Sequence, residues 1–113
     1  MIQKKLKKAN RGSKLFEATI QRIKEIDSEI KDTSELLQKE AYKTYSKYLV
    51  EILFSYPYTK IESVEKKLKC HRQTASNHLN VCEKLGILRN VRLGRNKYFV
   101  NLRLFDILQK ELL

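Results

Sequence analysis

Two stretches of this sequence hold side chains that could do chemistry, and both favour nucleic acid over catalysis. The first is His71-Arg72-Gln73-Thr74-Ala75-Ser76-Asn77-His78. Arg, Gln and Asn are the side chains that pair bidentately with guanine or adenine edges in the DNA major groove. If this stretch is helical, Ala75 turns inward and leaves Arg72, Gln73, Ser76 and Asn77 facing out. Thr74 and Ser76 are short enough to reach phosphate without blocking the approach of the helix. The second stretch carries Arg89, Arg92, Arg95 and Lys97, with no acidic residue from Arg89 to Asn101. Long cations beside a turn reach the phosphate backbone, which sets affinity, while base-edge contacts set specificity. The candidate DNA-contacting residues are therefore Arg72, Gln73, Thr74, Ser76, Asn77, Arg92, Arg95 and Lys97.

Other chemistries find little to work with. Cys70 and Cys82 lie twelve residues apart and Cys70 adjoins His71, which is not a zinc-ligand spacing. Both cysteines are expected to be buried free thiols, with Cys70 pointing into the turn and Cys82 on an inner helix face. A Cys–His nucleophile pair would need a third orienting group and an oxyanion loop, and neither is visible. Gly12, Gly86 and Gly94 stand too far apart to form a phosphate-binding loop. The expectation is a chain with no catalytic residues, no metal, no cofactor and no small-molecule substrate.

Charge supports the same direction. The 113 residues carry 24 Lys and Arg against 13 Asp and Glu, a net charge of +11. A small chain this basic usually meets nucleic acid, an anionic membrane surface or an acidic protein. Residues 1–15 hold six cations and no acid, residues 16–57 are net −2, and residues 58–103 are net +8. Lysines near a terminus mostly solvate it, so the positive stretch of interest is the third. No run of about 18 apolar residues is present, so no membrane span is expected. The basic start lacks an apolar run behind it and does not read as a signal peptide. The expected location is cytoplasmic.

These stretches need elements to position them. Phe16, Ile20, Ile23, Ile26 and Ile30 recur at helical spacing and mark one face, expected as core or dimer seam. Asp32-Thr33-Ser34 supplies three good N-cap residues, so a second helix is expected from about Ser34 to the turn at Pro57. Thr59-Lys60-Ile61 reads as a stub of strand. Glu62–Leu68 and His71–Leu85 read as two helices joined by a tight link at Lys69-Cys70, with Ala75, Leu79 and Cys82 inward. Gly86 stands where a left-handed cap is expected. Strands around Ile87–Leu93 and Tyr98–Leu102, with a turn at Gly94-Arg95-Asn96, make a hairpin. Residues 103–113 return to helical spacing and are expected to dock on the N-terminal helices, within the chain or across a two-fold.

Helix, turn, helix and hairpin in that order give a mainly α fold with a small β-hairpin. That is a winged helix-turn-helix domain, assigned to residues 41–113 and preceded by a helical arm over residues 1–40. In such a fold the second helix of the pair enters the major groove and the hairpin reaches the backbone beside it. The stretch RQTASNHLNVCEKLGIL, followed by a Gly-Arg turn and a Tyr-Phe-Val-Asn strand, resembles the C-terminal winged-helix domain of bacterial Fic-family proteins. ANRGSKLFEATIQRIKEI is similar to the helix that follows the catalytic core in that family. The family's catalytic signature, His-x-Phe-x-(Asp/Glu)-Gly-Asn-Gly-Arg, has no counterpart at His71 or His78. The resemblance thus implies a regulatory, DNA-binding C-terminal part of a Fic-family protein, without nucleotidyl transfer of its own. The alternative it leaves open is a protein-interaction or dimerisation module that does not bind DNA. Expected partners are DNA and a second copy of the chain, with no membrane.

Overall fold

The computed structural model describes residues 10–110, with side chains from residue 14 onward. The lysine run at Lys4–Lys8 and the last leucines, Leu112 and Leu113, lie outside the described residues. Helix α1 (Asn10–Glu40) runs without interruption for 31 residues, about 46 Å at the usual rise per residue. The break expected at Asp32-Thr33-Ser34 is absent. Thr33 and Leu37 are fully buried, on the face that also packs Ile30 against the core. Tertiary packing of that face overrides the local preference of Asp, Thr and Ser for a helix start. The real break lies at 41–46. There the Ser46 side chain accepts a hydrogen bond from the Leu49 N–H at 3.0 Å and caps α2 (Lys47–Ser55).

Pro57 then turns the chain into β1 (Tyr58–Thr59), the strand stub, one residue earlier than expected. Helices α3 (Ile61–Leu68) and α4 (Arg72–Lys84) follow as a helix–turn–helix pair. The hairpin is β2 (Leu88–Leu93) and β3 (Asn96–Asn101), and α5 (Leu102–Gln109) closes the described chain. The three strands form an antiparallel sheet in the order β1-β3-β2. The fold is mainly helical with this small sheet, a winged-helix-like arrangement.

One core joins α1, α2, the helix–turn–helix pair and the hairpin. Leu37, Leu53, Val64, Leu79, Ile87 and Phe99 have no solvent exposure. Cys82 is buried among them, and burial pushes its thiol up to about 12. Cys70 is half-buried at the turn and packs against the core, so the expected inward position holds but full burial does not.

A residue with no obvious role in the sequence ties the sheet to the helices. The backbone N–H of buried Asn101 donates to the Pro57 carbonyl at 2.8 Å. Its side-chain amide donates to the Leu53 carbonyl at 2.8 Å, and its Oδ1 accepts from the Leu104 N–H at 3.2 Å, capping α5. Helix α5 docks on α1 of the same chain through buried Leu104 and Ile107. Ion pairs join Arg103 to Glu29 at 3.1 Å and Lys110 to Glu25 at 3.8 Å. Among the described residues no helix is long and apolar enough to cross a membrane.

Candidate nucleic-acid interface

The turn between α3 and α4 sets the exposed face of α4. Lys69 caps α3 in the left-handed region, and the Cys70 N–H donates to the Glu65 carbonyl at 3.2 Å. His71 then starts α4 from an extended backbone, with no side chain capping the first N–H groups. The positive end of the helix dipole is therefore presented at the surface, where it favours an anion. Ala75, Leu79 and Cys82 bury one side of α4. At 100° per residue this leaves Gln73 and Asn77 on the opposite side, flanked by Thr74 and Ser76. Gln73, Thr74 and Asn77 are exposed and Ser76 is half-buried.

Two of these groups already have partners. Gln73 Nε2 donates to Asn77 Oδ1 at 3.0 Å, one helical turn on. Arg72 lies on the side nearer α3, where its guanidinium meets Glu65 at 3.3 Å and Glu62 at 3.8 Å. It is exposed, but it is not the unattached side chain the sequence pattern implied. His78 is turned partly inward, and burial lowers its pKa from the ordinary value of 6.5, favouring the neutral imidazole.

The same periodicity, carried two turns further than the sequence reading took it, adds Asn80 and Lys84. With Asn77, Val81 and Glu83 they line a shallow hollow of about 390 Å³. The signal was present in the sequence: three and seven residues after Asn77, on the face that Gln73 and Asn77 define.

The hairpin turns through Gly94-Arg95, with Gly94 at φ +63°. Strand alternation sorts its side chains. Arg92 pairs across the strands with Lys97, on the face that carries Asn90 and Phe99. Lys97 Nζ sits 5.1 Å from the centre of the Phe99 ring. Arg89 points to the other face, with Val91, Leu93, Tyr98 and Val100. Arg95 is exposed at the tip. The wing is fixed to α4 by the Asn90 N–H, which donates to Glu83 Oε2 at 3.0 Å.

The electrostatics follow from the same contacts. Residues 58–103 contain three acids, Glu62, Glu65 and Glu83. Glu62 meets Lys60 and Arg72, Glu65 meets Arg72, and Glu83 accepts from the wing backbone. Among the described residues no carboxylate lies within ion-pair distance of Arg92, Arg95 or Lys97. The wing cations thus stand uncompensated beside a polar helix face. Among the described residues no group of three His, Cys, Asp or Glu side chains could hold a metal ion.

A family model described as the C-terminal domain of SoFic-like protein adenylyltransferases matches residues 29–104. The chain belongs to this family. The match covers about two-thirds of the chain. It takes in the second part of α1, the helix–turn–helix pair, the whole hairpin and the start of α5, and with them every candidate interface residue. The sequence itself holds no Fic catalytic motif, so what is shared is the C-terminal domain of such a protein.

Proposed function

We propose that this domain binds double-stranded DNA, with α4 in the major groove and the β2–β3 wing on the adjacent backbone, as the regulatory part of a Fic-family protein. The observation that carries the reading is the uncompensated set Arg92, Arg95 and Lys97 on a wing anchored to α4. Arg95, Arg92 and Lys97 contact phosphate. Gln73 and Asn77 exchange their mutual bond for base edges, Arg72 leaves Glu62 and Glu65 for the duplex, and Thr74 and Ser76 reach phosphate beside them. The chain alone transfers no nucleotide, because nothing in its sequence supplies a phosphate cradle. Its place of action on this reading is the cytoplasm.

The test is fluorescence anisotropy with random and selected duplexes across a salt series. Arg95→Ala weakens binding to all sequences alike and makes the salt slope shallower by about 1. Gln73→Ala or Asn77→Ala changes which sequence is preferred, by about 1–3 kcal/mol per lost bidentate pair. Absence of binding at low salt would sink the reading. Incubation of the purified chain with labelled ATP and target protein tests the second half, and transfer would contradict it.

The other reading, protein contact without DNA, has one observation in its favour. Tyr58, Val91, Leu93, Tyr98 and Val100 line a shallow apolar hollow of about 360 Å³ on the outer face of the sheet. Solvated sheet faces are ordinarily polar, and exposed apolar patches often mark contact sites. Retained partner binding in a chain that never shifts DNA would favour it.

A further inference from the structure

A hollow of about 190 Å³ lies where α2, β1 and α3 meet. Ser55 and Tyr56 close α2, Tyr58 and Thr59 form β1, and Ser63 and Lys67 lie one turn apart on one flank of α3. Five side chains bring hydroxyls, Lys67 brings an ammonium, and no carboxylate lines the space. Because the walls come from three elements, no sequence spacing announces them.

Thr59 is the telling residue. It is only 4 % exposed, yet it borders the hollow, and its hydroxyl has no hydrogen-bond partner among the described residues. Thr33 carries the one side-chain oxygen among them that is both unpartnered and sealed from solvent. The Thr59 hydroxyl therefore keeps an opening, and the space its residue borders is this hollow. A nearly buried hydroxyl without a partner costs free energy that a ligand oxygen recovers. Ser55 already donates to the Glu51 carbonyl at 2.6 Å, whereas the hydroxyls of Tyr56, Tyr58 and Ser63 have no partner among the described residues.

Helix α3 sorts its charges between two flanks. Glu62 and Glu65 meet Arg72 on one, and Glu62 also meets Lys60. On the other, Lys67 has no carboxylate within ion-pair distance among the described residues. Lys60 starts α3 without a side-chain cap, so the first N–H groups add positive potential at the Thr59 and Ser63 end.

We propose that this hollow binds the phosphate group of a small phosphomonoester. Lys67 pairs with its charge, and the Thr59 and Ser63 hydroxyls donate to its oxygens. Hydroxyl donors and a cation without a carboxylate select an anion, and phosphate has oxygens enough to engage several donors at once. Tyr56, 65 % exposed at the rim, offers a flat ring to what the phosphate carries, so a nucleoside monophosphate should bind more tightly than inorganic phosphate. Arg72 marks the opposite flank of α3, so the proposal does not rest on DNA binding.

Amide NMR titration of the full chain with AMP, inorganic phosphate and adenosine, at constant ionic strength, tests this. AMP and phosphate should give saturable shifts at Thr59, Ser63 and Lys67, with AMP the tighter. Lys67→Ala and Thr59→Val should each weaken AMP binding at least about fivefold, and Thr59→Ser should retain it. Lys67 is exposed on α3, so its variant keeps the test open should Thr59→Val unfold. No saturable shift, shifts centred on Arg92, Arg95 and Lys97 instead, or binding indifferent to both Lys67 and Thr59 would each overturn the proposal. Adenosine binding as tightly as AMP would also overturn it, since phosphate would not be what is recognised. Duplex DNA that moves these amides where AMP does not would assign the hollow to a backbone phosphate and overturn it as well.

Discussion

The two faces of the β2–β3 hairpin are made from one stretch of basic sequence, and they are not alike. One face carries Asn90, Arg92 and Lys97 outward from Leu88, Phe99 and Asn101. The other carries Arg89, Val91, Leu93, Tyr98 and Val100. Composition alone would call the whole hairpin cationic. Strand alternation, with a period of two, gives one face two paired cations and the other an apolar surface with a single arginine. The first face continues from the core that packs on α4, and the second borders Tyr58 of β1. The two proposed readings would therefore divide along the ribbon itself, with DNA contact on one side under the first and protein contact on the other under the second.

The largest expected effect comes from removing what holds both faces at once. Asn101 lies at the base of β3 and bonds both Leu53 and Leu104 from a buried position. Asn101→Leu keeps the branched shape at a somewhat larger volume but removes the α5 cap, worth about 1 kcal/mol, and leaves the Leu53 carbonyl unpaired, at about 1–3 kcal/mol. The expected loss is about 2–4 kcal/mol in urea unfolding. A loss below about 1 kcal/mol would show that water replaces these bonds and that the hairpin is anchored by Phe99 and Leu88 alone.

The next effect separates the faces directly. The double variant Arg92→Ala/Lys97→Ala should flatten the salt dependence of DNA binding by about 2 units, at about 0.9 per phosphate. Arg89→Ala, on the opposite face, should change it by well under 1 unit. Leu93→Ser should leave DNA affinity unchanged, and its stability cost should be small because Leu93 is 64 % exposed. Equal slopes for the Arg89 and Arg92/Lys97 variants would mean that the ribbon lies edge-on to the duplex and that the division by face does not govern binding.

Much of this arrangement was legible in the sequence. The inward set Ala75, Leu79 and Cys82, the cap at Gly86 and the turn at Gly94 follow from helical period and glycine's tolerance of positive φ, and all are found. The helix break was not legible. Asp32-Thr33-Ser34 has ideal capping chemistry, yet Thr33 is buried with its hydroxyl unpartnered among the described residues, so burial outweighed the hydrogen bond. Ser46, the residue that does cap a helix, looked like any other serine. The expected Ile stripe holds as a helical face, and as core at Ile30, while Phe16 and Ile23 stay exposed, because where the body stops covering α1 is a tertiary fact. At the interface, the outward set was readable from Ala75. The clamp of Glu62 and Glu65 on Arg72 was not, since it depends on how α3 crosses α4.

A smaller effect tests the tip that both faces share. Gly94 has φ +63°, and a Cβ there would meet no atom within 4 Å. Gly94→Ala therefore meets no clash and pays only for the backbone, about 1 kcal/mol. Unfolding should register this loss, while Gly94→Asn should recover part of it, since Asn tolerates the left-handed region better. An unchanged stability for Gly94→Ala would mean that the turn relaxes to a different geometry. Arg95 would then no longer be held beside Arg92 and Lys97.

The smallest effect concerns His78, on the inward-turned flank of α4. Burial lowers its pKa in the folded chain below the ordinary 6.5. Well above pH 6.5 the imidazole is neutral whether the chain is folded or not, and it contributes no pH dependence. As the pH falls through 6.5 the unfolded chain takes up a proton that the folded chain resists, so stability declines. The decline ends once the pH is below the folded value and both states are protonated. Urea unfolding between pH 7.5 and 5 should thus show a shallow loss in the wild type that is reduced in His78→Gln. The slope changes sign if His78 approaches a phosphate in the complex, because the anion then favours the charged imidazole. DNA affinity that strengthens as pH falls, and does so less in His78→Gln, would place this flank of α4 against the backbone. Affinity indifferent to the substitution would leave the groove contact to the Gln73 and Asn77 side.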